Sequence, residues 1–352
     1  MRSRGTVRLL LGCNNRCVFC AQDGLADAPT SVEEELARTR ACSDEVTFVG
    51  GEPTLDPSLA EHVARARALG FTRIGLQTNG RLLADSGYAE SLARAGLTDV
   101  HLSIHGAEAA VHDYHAGLGG AFDATLAGFA AARASGLAVV VTTVLTRSNF
   151  RGLATLPRLL SARGAAGWLV LVPHVAGRAA AAFDRVVPRL ALALPFAIHA
   201  IDRAEALGLV AWIGGAPACL LGPYATRALP APDRAYGAVC EGCEARPVCA
   251  GVDPAYLERF GGDELAARPR PGAAMHGRAD IAAMFVQTEM AAPPASVDSP
   301  GPTENRKVTL PMLGKGKPAR AEVTASAPRR SGEALKEILP ALFEEPGERP
   351  VR

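Results

Sequence analysis

The sequence predicts a parallel α/β sheet that curls into a partial (β/α)6 TIM-like barrel. Three observations carry this. Six short apolar runs recur through residues 6–172. Segments with apolar residues at helical spacing separate them. Glycines close several of these segments, where the positive φ of a C-terminal cap costs glycine little. Such alternation builds parallel βα units. Six strands are too few for a closed eight-stranded barrel, and ligands in these folds sit at the carboxyl ends of the strands.

In chain order the strand-like runs are Val7–Leu11, Val46–Val49, Ile74–Gln77, Val100–Ile104, Val139–Leu145 and Leu169–Val172. Helix-like segments lie near 31–40, 58–69, 87–95, 121–135 and 152–163, and Gly70, Gly96, Gly136 and Gly164 stand at helix ends. A helical pattern runs from 179 to 207, with breaks expected at Pro188 and Pro195, and a short strand follows at Leu209–Ile213. Three divisions result: a core at 1–205, a Cys-rich region at 206–265, and a low-complexity tail at 266–352. The tail is rich in Pro, Ala, Gly, Ser and charge, so disorder is expected there. Within it, 331–345 places Leu335, Ile338, Leu339 and Leu342 on one helical face, although Pro340 works against a helix.

The 352 residues are 48% hydrophobic, enough for a substantial core. Lys+Arg number 37 against 36 Asp+Glu, a net charge of +1, so charge gives no case for a nucleic-acid or anionic-membrane partner. No window approaches the roughly 20 apolar residues of a spanning helix. Leu9-Leu10-Leu11-Gly12-Cys13 imitates the end of a lipoprotein signal, but Arg8 precedes only three leucines. A cytoplasmic chain is expected, with thiols kept reduced as ligands or catalysts.

There are eight cysteines. Cys13-x3-Cys17-x2-Cys20 directly follows the first strand. Three thiolates on one loop can converge on a metal centre. Four would complete an iron–sulfur cluster, so three leave one iron open to a substrate or cofactor. Zinc is the alternative, although zinc motifs usually pair C-x2-4-C units. Cys219, Cys240, Cys243 and Cys249 are four thiolates, which suit either a complete [4Fe-4S] shell or a structural zinc. Gly242 and Gly251 are expected to help this loop wrap its metal, and Cys42 has no partner by spacing. On the fourth strand, period-two alternation sets His101, Ser103 and His105 opposite Leu102 and Ile104, a polar face toward the interior.

Cys13-Asn14-Asn15-Arg16-Cys17-Val18-Phe19-Cys20 resembles the C-x3-C-x-aromatic-C signature of the radical S-adenosylmethionine (SAM) superfamily. Gly50-Gly51-Glu52-Pro53 resembles its GGEP motif, Thr78-Asn79-Gly80 its TNG element, and Ser103-Ile104-His105-Gly106 its S-[LI]-D-G element. The ordered set is specific, and the resemblance spans about 6–175. It implies a [4Fe-4S] cluster on Cys13, Cys17 and Cys20 whose open iron is chelated by SAM. Reductive cleavage of SAM would give a 5′-deoxyadenosyl radical that abstracts hydrogen from substrate. The resemblance further implies Phe19 beside the adenine, Gly50, Gly51 and Glu52 at the SAM ammonium, Asn79 in the same site, and Ser103 at the ribose.

Two positions depart from the family. His105 replaces an Asp, and His115 stands where an arginine often binds the SAM carboxylate. Histidine is shorter and often neutral. Arg147 is either a substitute or a surface residue.

The C-terminal cysteines resemble part of the SPASM/twitch extensions, implying one auxiliary [4Fe-4S] cluster. The expected function is peptide or protein modification. A small-molecule substrate and a non-catalytic electron-transfer role are the alternatives. A flavodoxin- or ferredoxin-like electron donor is the implied partner, with neither nucleic acid nor membrane. No residue can be nominated as hydrogen donor.

Overall fold

A computed structural model describes residues 4–25, 31–229, 235–269, 278–285 and 287–289, all within the compact unit Met1–Pro294. The proposed helix at 331–345 lies outside the described residues.

The core alternates strand and helix. It runs β1 (Arg4–Arg8), α1 (Val32–Cys42), β2 (Glu45–Val49), α2 (Leu59–Ala68), β3 (Arg73–Thr78), α3 (Tyr88–Ala95) and β4 (Asp99–Ser103). It continues through α4 (Ala109–Ala116), α5 (Ala121–Ala134), β5 (Ala138–Val144), α6 (Leu156–Ala162) and β6 (Gly167–Leu171). Then come α7 (Gly177–Ala181), α8 (Phe183–Val186), α9 (Leu190–Ala206), β7 (Ala211–Gly214), α10 (Ala218–Leu221) and β8 (Ala228–Leu229). Last are α11 (Pro254–Phe260), α12 (Ala279–Phe285) and β9 (Gln287–Glu289). All pairings within this sheet are parallel, in the order β8-β7-β6-β5-β4-β3-β2-β1-β9. This is the expected open, curled half-barrel, with three further short strands on its edges.

Residue alternation separates two apolar layers. Val100, Leu102, Val139, Val141, Trp168 and Val170 face the outer helices. Val140, Leu169 and Trp212 face inward, and Ile281, Ala282 and Met284 of α12 pack onto them. Polar groups share that interior. Asp99 accepts two hydrogen bonds from Arg4, at 2.7 and 2.8 Å, and lies 2.9 Å from His101 Nε2. All three are buried. Burial opposes the Asp99 charge, but His101 and Arg4 outweigh it and hold the carboxyl well below the usual range.

Four differences from the sequence reading have local causes. The first strand is Arg4–Arg8 rather than Val7–Leu11, because Arg4 must reach Asp99 while Leu9–Gly12 turn off along the end of β2. Helix α4 has no expected counterpart, and its mean hydropathy pattern is nearly featureless. Pro195 sits inside α9 without ending it, in the second turn, where one lost hydrogen bond is tolerated. The tail expected to be disordered from 266 contains α12 and β9. A composition averaged over the whole tail conceals a seven-residue helix whose Ile281 and Met284 are buried in the barrel. Gly70, Gly96, Gly136 and Gly164 have the positive φ expected of helix ends. Among the described residues, no helix is long and apolar enough to cross a membrane.

Candidate functional site

The three-cysteine loop leaves β1 at the carboxyl end of the sheet, and the barrel grips it from four sides. On the first side, Gly51 N donates to Leu10 O (2.8 Å) and Glu52 N to Gly12 O (2.9 Å). A Cβ on Gly51 would stand 2.2 Å from Gly12 O, and one on Gly50 (φ 152°) would stand 2.4 Å from Leu10 O. Both glycines are therefore required by the backbone of the loop's own approach. On the second side, Asn79 Nδ2 donates to Asn14 Oδ1 (2.7 Å), while Arg81 donates to Asn14 O (2.9 Å) and Asn15 Oδ1 (3.1 Å). On the third, Arg16 N and Val18 N donate to the carbonyls of Ala116 and His115 at the end of α4. On the fourth, Arg178 of α7 donates its backbone N–H to Cys20 O (2.9 Å) and Nε to Cys17 O (2.8 Å), and its guanidinium pairs with Asp23.

Glu52 is 1% exposed and joins the ends of β2 and β3. Its Oε1 accepts from Thr54 N, Thr54 Oγ1 and Thr78 Oγ1 (3.0, 2.7 and 2.6 Å), and its Oε2 from Asn79 N (2.7 Å). A carboxylate has about four lone-pair positions, two per oxygen. Oε2, with one donor among the described residues against three, is the oxygen with acceptor capacity to spare.

Behind the loop lies a ring cluster. Phe19 meets His105 edge-on at 4.6 Å, and His105 stacks on His112 at 5.7 Å. Burial lowers His105 well below its ordinary value and His112 to about 4, so both are neutral. His115 is corrected from ligand to support. Its Nδ1 lies 2.6 Å from Val111 O and its Nε2 2.8 Å from Thr146 Oγ1. The carbonyl fixes the proton on Nδ1, so Nε2 accepts the hydroxyl and both nitrogens are used within the protein. Burial lowers its pKa, which further unsuits it to a carboxylate. Arg147 is a surface residue, donating to the carbonyl of Asp184. Ser103 ends β4 half-buried, as the alternation requires, while His101 belongs to the Arg4–Asp99 network instead.

Cys13 is exposed and Cys17 and Cys20 are half-buried. Burial, then the neighbouring Cys13 and Cys20 charges, pushes Cys17 up to about 12. Cys17 is therefore a thiol at neutral pH, and iron must displace its proton to bind it. Among the described residues, no three His, Cys, Asp or Glu side chains form the shell of a single metal ion. A four-iron cluster spreads its thiolates more widely than one ion does, and three soft donors on a firmly seated loop fit it.

The C-terminal cysteines come together. Cys219, Cys240, Cys243 and Cys249 line one cavity. Its backbone donates to sulfur: Ala218 N and Gly251 N to Cys249 Sγ (3.3 Å each), and Arg268 N to Cys243 Sγ (3.4 Å). Donors aimed at sulfur suit bound thiolates. Arg268 also donates to Ala218 O (2.8 Å), so this region reaches past 265. Gly251 (φ 61°) needs to be glycine, but a Cβ on Gly242 would meet nothing within 4 Å, so Gly242 is dispensable. Cys42 is an exposed thiol at the end of α1. Spacing did not single out Asn14, Arg81, Gly177, Arg178 or Asp253. The available signal was their position just after strand ends, or beside a cysteine.

Residues 7–152 match the model of the Radical SAM superfamily. A 183-residue stretch is 27% identical to an AdoMet-dependent heme synthase of Nitratidesulfovibrio vulgaris, covering 50% of this chain and 49% of that protein. Another of 175 residues is 32% identical to an AdoMet-dependent heme synthase of Methanosarcina barkeri, covering 47% and 49%. A third, of 102 residues, is 36% identical to a probable GTP 3′,8-cyclase of Methanothermobacter thermautotrophicus, covering 26% and 32%. The chain thus spans about half the length of the first two relatives. In fold it is similar to Streptococcus suis SuiB, with TM-score 0.51 and 15% identity over 62% of this chain and 51% of SuiB. Residues 7–152 are a radical SAM domain.

Proposed function

We propose that this chain is a radical SAM enzyme that modifies a peptide or protein, with Cys13, Cys17 and Cys20 holding a [4Fe-4S] cluster. The observation that carries the reading is the seat of the three-cysteine loop, fastened to Gly50–Glu52 and Asn79 at the carboxyl end of a parallel half-barrel. When bound, the cluster supplies one electron to SAM, whose C–S bond then yields a 5′-deoxyadenosyl radical.

The chain's own residues bind and orient. Glu52, fixed by four donors, offers Oε2 to the SAM ammonium. Phe19, braced by His105, forms an apolar wall for the adenine. Ser103 faces the interior at the ribose. Cys219, Cys240, Cys243 and Cys249 hold a second [4Fe-4S] cluster in a SPASM/twitch-like region, with N–H donors on the sulfurs that favour its reduced form. That region is what supports a peptide or protein substrate. The names of the sequence relatives, heme synthase and GTP cyclase, favour a small-molecule substrate as the second reading. A reducing, cytoplasmic setting and a flavodoxin- or ferredoxin-like donor complete the proposal.

Anaerobic reconstitution, iron counting and a 5′-deoxyadenosine assay with SAM and dithionite test it. About eight irons per chain with 5′-deoxyadenosine release is the expected result. About four irons with release would give the C-terminal cysteines to zinc. Stable clusters that never cleave SAM would overturn the enzyme reading.

A further inference from the structure

The loop that follows β6 touches both cysteine centres. At one end, Asp253 Oδ2 accepts from His174 Nδ1 (2.9 Å) and Val175 N (3.0 Å), while its Oδ1 accepts from Ala255 N (2.9 Å). Asp253 caps α11, and the same short run carries Cys249 and the Gly251 N–H bonded to its sulfur. At the other end, Gly177 and Arg178 lie against the three-cysteine loop. A Cβ on Gly177 (φ 52°) would stand 2.6 Å from Cys20 O and 2.8 Å from Asp23 O. Arg178 grips Cys17, Cys20 and Asp23. Five consecutive residues therefore span from the anchor of one centre to the backbone of the other.

We propose that residues 174–178 are a strut that fixes the three-cysteine loop to the four-cysteine pocket, with Asp253 as its anchor and Arg178 as its positioning residue. The inference rests on reading Cys13, Cys17 and Cys20 as cluster ligands. Only arginine does the work of position 178. Its Nε and its terminal nitrogens point in different directions from one rigid plane, so it binds Cys17 O and Asp23 together, which a lysine ammonium on a flexible stem cannot reproduce. Its charge, held on the Cys17 carbonyl and paired with Asp23, would also ease the added negative charge of a reduced cluster on this loop. The strut transmits in series: loosening Asp253 frees Gly177 and Arg178, which frees the loop.

Hydrogen exchange of the full-length chain under anaerobic conditions, before and after iron–sulfide reconstitution, tests this on peptides covering 13–24. Asp253→Ala should speed exchange there about tenfold, the scale of one or two lost charged hydrogen bonds. Arg178→Gln should do at least as much, and the double variant no more than Arg178→Gln alone. His174→Ala leaves the α11 cap in place and should give a smaller rise in the same peptides, which keeps the test open if Asp253→Ala folds poorly. Arg178→Lys should speed exchange yet leave the reduction potential of the loop's cluster near the original, whereas Arg178→Gln should move it more negative. Exchange at 13–24 that is complete in the unaltered chain, unmoved by Asp253→Ala and His174→Ala, or additive in the double variant would overturn the strut. A potential unmoved by Arg178→Gln would overturn the role of its charge. A chain that holds no iron would sink the functional reading, yet exchange before reconstitution would still decide the strut.

Discussion

The three-cysteine loop is seated by the barrel, whereas the four-cysteine pocket is gathered around its own sulfurs. In the loop, one backbone N–H goes to sulfur, Asn15 N to Cys13 Sγ (3.4 Å), while the bonds that fasten it to the barrel go to carbonyls and amides of a frame built by β2, β3, α4 and α7. In the pocket, backbone N–H groups go directly to sulfur, at Cys243 and Cys249. The first arrangement can keep its shape with one coordination position open. The second is closed on all four of its sulfurs, which line one cavity. A catalytic metal site needs the former and a closed site the latter.

The largest effect should come from removing one thiolate on each side. Cys17→Ala should reduce 5′-deoxyadenosine release to background and remove about half of the iron. Cys243→Ala should remove a similar amount of iron but leave release intact, with the loss appearing in substrate turnover. Release that survives Cys17→Ala would erase the distinction.

Two glycines give the next contrast. Gly51→Ala drives a Cβ against Gly12 O and should cost about 3 kcal/mol or more in urea unfolding, with iron lost from the loop. Gly242→Ala meets open space and should leave both the unfolding midpoint and the iron count unchanged. Glu52→Gln is a milder break in the same frame. The amide presents donors to Thr54 N or Asn79 N, so one buried N–H loses its acceptor, and the midpoint should shift by about 1–3 kcal/mol.

Acid should separate the regions by window, with the smallest effect. Behind the loop, the folded-state pKa of His112 is depressed to about 4 and that of His105 lies well below its ordinary value. The unfolded chain therefore binds more protons, and stability falls as pH drops from about 6.5 toward 4. Around the pocket, Asp253 and Glu264 are lowered despite burial, by hydrogen bonds from His174 and Ala191 foremost. Their contribution is complete above the ordinary carboxylate pKa and is lost only below about 4. Thermal melts from pH 7 to 3 should show a shallower slope in the upper window for His112→Phe, which preserves the stacked ring while His105 continues to contribute.

The barrel was legible because its signals are local. Val100, Leu102 and Ile104 alternate with His101 and Ser103, and the helices close on glycine, so strand identity and inward face follow from a few adjacent residues. The cysteine spacings and the glycine pair were legible for the same reason. What the sequence concealed is long-range. Arg178 meets Cys17 across most of the barrel, and Asp253 meets His174 only once the sheet has wound. His115 reads as a ligand by position, but its partners Val111 and Thr146 come from its own helix and from the end of β5. Short pieces such as α12 vanish in averages, since Ile281 and Met284 acquire meaning only against Leu169 and Trp212.

The pairing of β9 with β1 has a consequence for how the chain is made. Thr6 opposes Glu289, and Gly167 receives Ile281, so β1 waits for the last described strand before its outer edge is covered. Until then the nascent half-barrel carries an unpaired parallel edge and an open apolar interior, the two features that invite chaperones and misassembly. Synthesis that stalls between α11 and α12 leaves a chain with all eight cysteines and a barrel still open at its base.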